Sequence, residues 1–296
     1  MLTITPLTPH IGAIIDGVAL ASCSDDDFAQ IYQAFLNDKV VFFRDQYLSP
    51  DEQLALARRF GELEAPHPFF PHVDGFPQVS VIETTPGNPP GKSYWHTDMT
   101  WQKAPPKCSV LCAQHLPDEG GDTIWTSMEA VYQSLPNAMK QSLQGLTATH
   151  AVHGFAGSRF DKTNAKGESK VAQIAGKMNG VQHPLVVRHP ETDHPSLYIN
   201  EQFCQYIDNL DLECVEINAL SEKNGKDGDN LLSSLFSLSR EEAFQVRFTW
   251  EAGSVAIWDN RCTQHFAVTD YGDKPRKLHR VVVKGEKPAA MPTLDV

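Results

Sequence analysis

The chain has 296 residues, 41% hydrophobic and 21% charged, and a formal net charge of −12. This reads as a soluble globular protein, long enough for one β-rich domain over 1–296, with no run of about 18 apolar residues to cross a bilayer. The acidity excludes nucleic acid and anionic membranes as partners, since both require a cationic surface.

The start, Met1-Leu2-Thr3-Ile4-Thr5-Pro6, shows no basic segment followed by an apolar stretch, so no signal peptide is expected and the cytoplasm is the default location. Ile11 to Ile15 reads as a strand. Ser24-Asp25-Asp26-Asp27 forms a capping-box start, Phe28, Ile31, Tyr32 and Phe35 follow at helical spacing, and that helix should end near Asn37. Val40-Val41-Phe42-Phe43 is a continuous apolar run flanked by charge, consistent with a strand buried on both faces. Ser49-Pro50-Asp51-Glu52 opens a second helix carrying Leu54, Ala57 and Phe60, with proline at the first helical position and Glu52 placed to reach back.

From His67 to Pro90 the chain is rich in proline, glycine and aromatics and holds one strand, Val79 to Ile82, so it reads as binding-loop territory. Ser109 to Ala113 and Gly120 to Thr126 read as two strands joined by a turn, and Ser127 to Leu146 as one or two helices broken at Pro136. Asp161 to Gly180 is polar with weak periodicity, which favours an insertion or mobile lid, around 155–182, over a short exposed helix. Leu185 to Val187 and Ser196 to Ile199 bracket a hairpin connection. Glu222 to Asp229 is turn-rich, Leu231 to Leu238 reads as helix, and Phe244 to Trp250 and Leu278 to Val283 alternate as strands. Cys23, Cys108, Cys112, Cys204, Cys214 and Cys262 show no C-x-x-C pair, which favours reduced, mostly buried thiols over disulfides or a zinc cluster. Many short strands with helices gathered early and in the middle give an α+β class with a mainly β core, a jelly roll with flanking helices.

Within Tyr94-Trp95-His96-Thr97-Asp98-Met99-Thr100, an imidazole and a carboxylate stand two residues apart, on one face if the segment is an extended strand. Two ligands hold a divalent metal weakly. The third candidate, His265, ends the apolar run that begins at Ala256, and two histidines with one carboxylate favour non-haem Fe(II) in oxygen-activating enzymes. The pattern H-x-D/E also occurs at His72-Val73-Asp74, in a turn, and at His189-Pro190-Glu191, where proline in the hairpin connection should point the side chains to solvent. On pattern alone, His96 and Asp98 can equally be a structural pair. Lys274 to Lys284 is a basic island; as a strand it places Arg276 and Arg280 on one face about 13 Å apart, two forks for anionic ligands or, equally, ordinary surface charges.

The combination of Trp95-His96-Thr97-Asp98, Gly120-Gly121-Asp122-Thr123-Ile124-Trp125-Thr126-Ser127, Trp258-Asp259-Asn260-Arg261 through His265, and Arg276 with Arg280 resembles the taurine/2-oxoglutarate dioxygenase family over nearly the whole chain. The resemblance extends to Ile4-Thr5-Pro6-Leu7 and Val40 to Gln46. It implies a double-stranded β-helix in which His96, Asp98 and His265 bind Fe(II), Arg276 and Thr123 bind the distal carboxylate of the 2-oxoglutarate co-substrate, and Arg280 with His67 binds the acidic group of the substrate. It implies O2 consumption, release of succinate and CO2, and hydroxylation of a small anionic organic molecule, a taurine-like sulfonate first, with alkyl sulfates, aryloxyacetates or a biosynthetic carboxylate as alternatives. A homo-oligomer, dimer or tetramer, is implied as well. Phe69, Phe70, Tyr94, Trp95 and Phe155 are candidates to line the substrate space. Two positions depart from the taurine enzyme's pattern: Phe70 replaces a tyrosine and Lys92 an asparagine. A reading of a different class, a jelly roll that binds metal without oxygenase activity, fits poorly with Arg276 and Thr123, which serve a dicarboxylate.

Overall fold

The structure, a computed structural model, describes residues 1–177, 180–210 and 227–292. In chain order its strands are β1 (Thr3–Pro6), β2 (Ala13–Asp16), β3 (Val40–Phe43), β4 (His72–Val73), β5 (Phe76–Thr84), β6 (Cys108–His115), β7 (Thr123–Ser127), β8 (Thr147–His150), β9 (Val181–Pro184), β10 (Val186–Arg188), β11 (Pro195–Leu197), β12 (Cys204–Ile207), β13 (Gln245–Phe248), β14 (Val255–Asp259), β15 (Thr263–Ala267), β16 (Arg276–Val283) and β17 (Ala289–Ala290). The helices are α1 (Asp25–Asp38), α2 (Pro50–Phe60), α3 (Met128–Ser134), α4 (Asn137–Leu143) and α5 (Lys170–Ala175), with a further one at Asp227–Ser239.

An eight-stranded sheet runs in the order β1-β2-β3-β14-β6-β16-β5-β4, antiparallel except for β2 with β3. Its central strands are buried on both faces because successive side chains alternate. Val41 and Phe43 of β3, with Val255 and Ile257 of β14, pack beneath α1 and α2, while Val40, Phe42, Ala256 and Trp258 point to the other side. There the sheet β13-β7-β15 closes over them with Trp125, Val246 and Phe248, giving the jelly roll its core. Phe42 stacks on Phe248 at 4.1 Å, and truncating such a buried ring costs about 3–5 kcal/mol. Two smaller sheets, β12-β8-β9 and β11-β10-β17, lie with α3 and α4 around a separate apolar cluster.

Local chemistry accounts for the helix ends. Ser24 caps α1 by accepting from the Asp27 amide, and Lys39, left-handed at φ 66°, ends it one residue beyond the expected Asn37. Ser49 and Glu52 form the complete reciprocal capping box of α2. The chain breaks at Pro136 between α3 and α4 as expected.

Three expectations need correction, and the 161–180 stretch turns out partly helical. Residues 94–98 form no strand: His96 makes a single bridge to His265 and a turn follows, since Met99 takes φ 54°. The polar 161–180 stretch contains α5, whose Val171 is anchored in an aromatic cluster with Phe69, Trp101, Phe155 and Phe203. The side chain of His189 does not face solvent, and Glu191, though exposed, is held by partners. His189 is buried against Asp259 at 3.1 Å, and Glu191 bonds Tyr32 and Arg261, because the hairpin folds onto the Trp258–Arg261 segment. Of the turn-rich 222–229 stretch, residues 222–226 lie outside the described residues and 227–229 are helical. Cys214 also lies outside; Cys23, Cys108, Cys112, Cys204 and Cys262 are free thiols. No described helix is long and apolar enough to cross a membrane.

Candidate active site

β15 carries His265 at its centre, buried against Trp258, and the 94–98 segment is laid against it. The His96 and His265 backbones exchange hydrogen bonds of 3.1 and 2.8 Å, and the Thr97 hydroxyl donates to the Thr263 carbonyl. The His96 and His265 rings stand 4.1 Å apart, and the ligand atoms of His96, Asp98 and His265 all lie within 4.8 Å of one another.

Their protonation states suit a divalent metal. His96 Nδ1 donates to the Tyr94 carbonyl at 2.8 Å, which leaves Nε2 as the lone-pair nitrogen, 3.8 Å from Asp98 Oδ1. Burial keeps His96 and His265 neutral by lowering both below the ordinary histidine range. Burial would push the Asp98 carboxyl up, but the Arg280 guanidinium, 2.8 Å from Oδ1, holds it below the usual carboxylate range. Two neutral imidazoles and one carboxylate are what the ion needs, without displacing protons.

A second buried trio, His189, Asp259 and Cys262, does not fit a metal. Arg261 binds both oxygens of Asp259, at 2.8 and 2.6 Å, and already supplies the positive charge there.

Arg276 and Arg280 share a face of β16, as the alternation requires, and both are buried. Arg276 donates to the Gly121 carbonyl at 2.8 Å and lies against the Tyr271 ring, yet its Nε has no partner and no described carboxylate pairs with it. Gly121 is required for this: it takes φ 77°, and a Cβ there would stand 2.9 Å from Arg276 Nε. Nearby, Thr123 Oγ1 accepts from Trp250 Nε1 at 3.0 Å, so its own proton is free to donate. An unpaired buried guanidinium beside a free hydroxyl proton fits the carboxylate end of 2-oxoglutarate.

His67 Nδ1 accepts from the amides of Phe69 and Phe70 at 3.2 and 3.3 Å, which places its proton on Nε2. Burial, aided by Arg280, keeps the ring neutral. Phe70 lies under the Arg280 guanidinium, Phe155 stacks on Phe69 at 4.4 Å, and Lys92 Nζ sits 4.7 Å above the Tyr94 ring. Eleven of the thirteen sequence-nominated residues, His67, Phe70, Lys92, Tyr94, His96, Asp98, Thr123, Phe155, His265, Arg276 and Arg280, line one cavity of about 420 Å³, whereas Phe69 is drawn into the aromatic cluster behind it and Trp95 packs on Phe266.

Sequence reasoning missed three supporting residues. Ser109 donates to Asp98 Oδ2 at 3.1 Å, Asn260 bonds the Asp98 backbone, and Trp250 orients Thr123. Asn260 stands in a quoted motif but without a role; the other two carried no local signal. Arg280 also differs from expectation, since its guanidinium is engaged with Asp98 as well as facing the cavity.

A jelly roll with two histidines and a carboxylate at its mouth, beside a buried unpaired arginine, defines the class of iron- and 2-oxoglutarate-dependent oxygenases. Residues 3–282 match the family described as Taurine catabolism dioxygenase TauD, TfdA family. The chain is 34% identical over 288 residues to an alkylsulfatase of Acinetobacter baylyi, covering 96% of this chain and 86% of that one. It is also 34% identical over 293 residues to an alpha-ketoglutarate-dependent sulfate ester dioxygenase of Pseudomonas putida, covering 98% and 92%. A solved taurine dioxygenase from Burkholderia xenovorans superposes with a TM-score of 0.78 at 34% identity, over 98% of this chain and 91% of that one. The chain belongs to the TauD, TfdA family. It is a 2-oxoglutarate-dependent dioxygenase that uses Fe(II) and O2 on a small anionic organic substrate.

Proposed function

We propose that His96, Asp98 and His265 hold the Fe(II), that Arg276 and Thr123 seat the distal carboxylate of 2-oxoglutarate, and that Arg280 and His67 Nε2–H bind the substrate's acidic group. The observation that carries this reading is the convergence of three potential ligand atoms within 4.8 Å, in the same cavity as both arginines. Bound there, Fe(II) with 2-oxoglutarate and O2 supplies the oxidation that yields succinate, CO2 and a hydroxylated substrate carbon. The protein positions that carbon: the Arg280 and His67 donors fix the anion at one end, and Phe70 and Phe155 surround the organic part.

The substrate is a sulfate ester with an apolar chain, ahead of taurine. Two features support this. Phe70 offers no hydroxyl to a polar substrate tail, and Lys92 in the cavity wall opposes any substrate ammonium. The names of the two relatives quoted above agree with this chemistry. Hydroxylation of the carbon bonded to the ester oxygen gives a hemiacetal sulfate, which expels hydrogen sulfate and leaves an aldehyde.

The 1–296 chain is one catalytic unit, with the 155–182 segment as its lid, supported by Phe155 in the cavity wall and Val171 in the cluster behind it. It works in the cytoplasm, where its free thiols are at home, and as a homo-oligomer, for which exposed Ile4 and Leu7 at the β1 edge offer an apolar surface. Succinate release should be screened with linear alkyl sulfates, alkanesulfonates, taurine and aryloxyacetates. Turnover confined to carboxylates would overturn the sulfate assignment. Anaerobic titration with Fe(II) and 2-oxoglutarate should develop a visible charge-transfer band that is lost in Asp98→Ala.

A further inference from the structure

Each metal-ligand candidate from the first motif is held by the second motif. His96 is paired through its backbone to His265, whereas Asp98 is gripped by a side chain. Asn260 is fully buried, and its amide meets Asp98 on both sides of the residue. Asn260 Oδ1 accepts from the Asp98 amide at 2.8 Å, and Nδ2 donates to the Asp98 carbonyl at 3.0 Å and to the Pro106 carbonyl at 3.1 Å. The Asn260 amide in turn donates to the Lys107 carbonyl, so the clamp is tied to the segment entering β6. Its hydrogen-bonding capacity is spent on the backbone around one carboxylate.

The position of this clamp gives it a consequence beyond folding. Directly after Asp98, Met99 adopts φ 54°, a left-handed conformation that costs a non-glycine residue about 1–2 kcal/mol and needs its surroundings to hold it. Without the clamp, the restraints left on this turn are the Gln102 amide on the Met99 carbonyl and the packing of the Met99 side chain, and the 98–99 peptide can relax toward ordinary backbone geometry. That relaxation swings the Asp98 side chain relative to His96 and His265, whose own spacing the reciprocal backbone pair preserves. The Arg280 and Ser109 bonds reach only the carboxylate oxygens and cannot fix the backbone from which it projects.

We propose that Asn260 is a positioning residue for the metal centre: it sets the backbone of Asp98 so that the carboxylate meets the metal already in place. The proposal rests on His96, Asp98 and His265 being the metal ligands. Supporting partners of metal ligands are worth about 10–100-fold in affinity, and a loss in that range is expected here.

The test uses Co(II), a spectroscopically visible divalent probe, added to the metal-free full-length protein without 2-oxoglutarate and followed by calorimetry and visible absorption. Asn260→Ala is compared with Gln46→Ala. Gln46 makes a matched clamp away from the site, accepting from the Leu20 amide at 2.8 Å and donating to the carbonyls of Val18 and Arg44. Both substitutions should lower the melting temperature of the metal-free protein. Only Asn260→Ala should weaken Co(II) about 10–100-fold and change its visible spectrum, and Asn260→Ser, which can restore one of the three bonds, should recover part of the loss. Equal Co(II) affinity in Asn260→Ala and wild type, or an equal loss in Gln46→Ala, overturns the proposal. If neither Asn260 variant folds while Gln46→Ala does, Asn260 is a determinant of the fold and the metal-specific role is likewise overturned. A wild-type protein that binds no Co(II), or an Asp98→Ala variant that binds it unchanged, would instead refute the ligand assignment itself.

Discussion

Replacing Arg276 with leucine should separate co-substrate binding from folding. The guanidinium is buried, has an unpartnered Nε, and forms no ion pair with a described carboxylate, so the metal-free enzyme carries a desolvated charge that the Tyr271 hydroxyl and the more distant Asp122 offset only in part. Burial accordingly lowers its pKa. A carboxylate held there by two charge-assisted bonds gains about 1.5–3 kcal/mol from each, and Arg276→Leu should weaken 2-oxoglutarate by roughly 3–4 kcal/mol, about 100- to 1,000-fold. At a co-substrate concentration 100 times the wild-type dissociation constant, binding stabilises the native state by about 2.7 kcal/mol; a 100-fold weaker variant gains only about 0.4 kcal/mol. Anaerobic thermal unfolding of the Fe(II)-loaded protein, with and without 2-oxoglutarate, reads this difference directly. The variant's unfolding without 2-oxoglutarate should shift little or upward, because an unpaired buried cation has been replaced by an apolar side chain. An undiminished 2-oxoglutarate shift in the variant would refute the assigned clamp.

Four further outcomes are expected. Lys92→Asn should raise kcat/KM for taurine relative to a linear alkyl sulfate by about ten-fold, since like charges about 5 Å apart repel by roughly 3 kcal/mol at an effective dielectric near 20 and water reduces this at the exposed Lys92. His67→Leu should raise the KM for the sulfate substrate about ten-fold while leaving 2-oxoglutarate affinity unchanged. Wild-type kcat/KM should show no His67 inflection between about pH 6.5 and 8, because burial keeps the ring neutral throughout that window. Acid stability should depend on His150, which burial holds down to about 3. Its unfolded form takes up a proton near pH 6.5, so between those values the unfolded state binds one more proton and stability falls on acidification by up to about 1.4 kcal/mol per pH unit. Urea midpoints measured from pH 6.5 to 4 should decline less steeply in His150→Leu, although its neutral-pH stability drops with the lost Thr100 bond.

The contrast between α2 and the 94–98 segment shows where sequence suffices. Ser49, Pro50 and Glu52 specify the start of a helix through bonds to their immediate neighbours, so the spacing alone carries the answer. In 94–98, aromatic and β-branched composition suggests a strand, but among the described residues the segment's one bridge is to residue 265, and the turn at Met99 is held in part by Asn260, remote in sequence. His189 fails for the same reason: proline next to it reads as an exposed turn until the hairpin folds onto Asp259 and Arg261.

Sequence determined by itself which residue types were candidates to bind a metal, the alternation that puts Arg276 and Arg280 on one face, and the apolar runs of β3 and β14, because each depends on residue identity and a local repeat. Tertiary structure alone decided that Ser109, Trp250 and Asn260 support the site and that Arg280 is engaged with Asp98. Those relations join residues 11 to 182 positions apart. They are set by which strands pair and how two sheets close on a core, a long-range outcome that no window of neighbouring residues encodes.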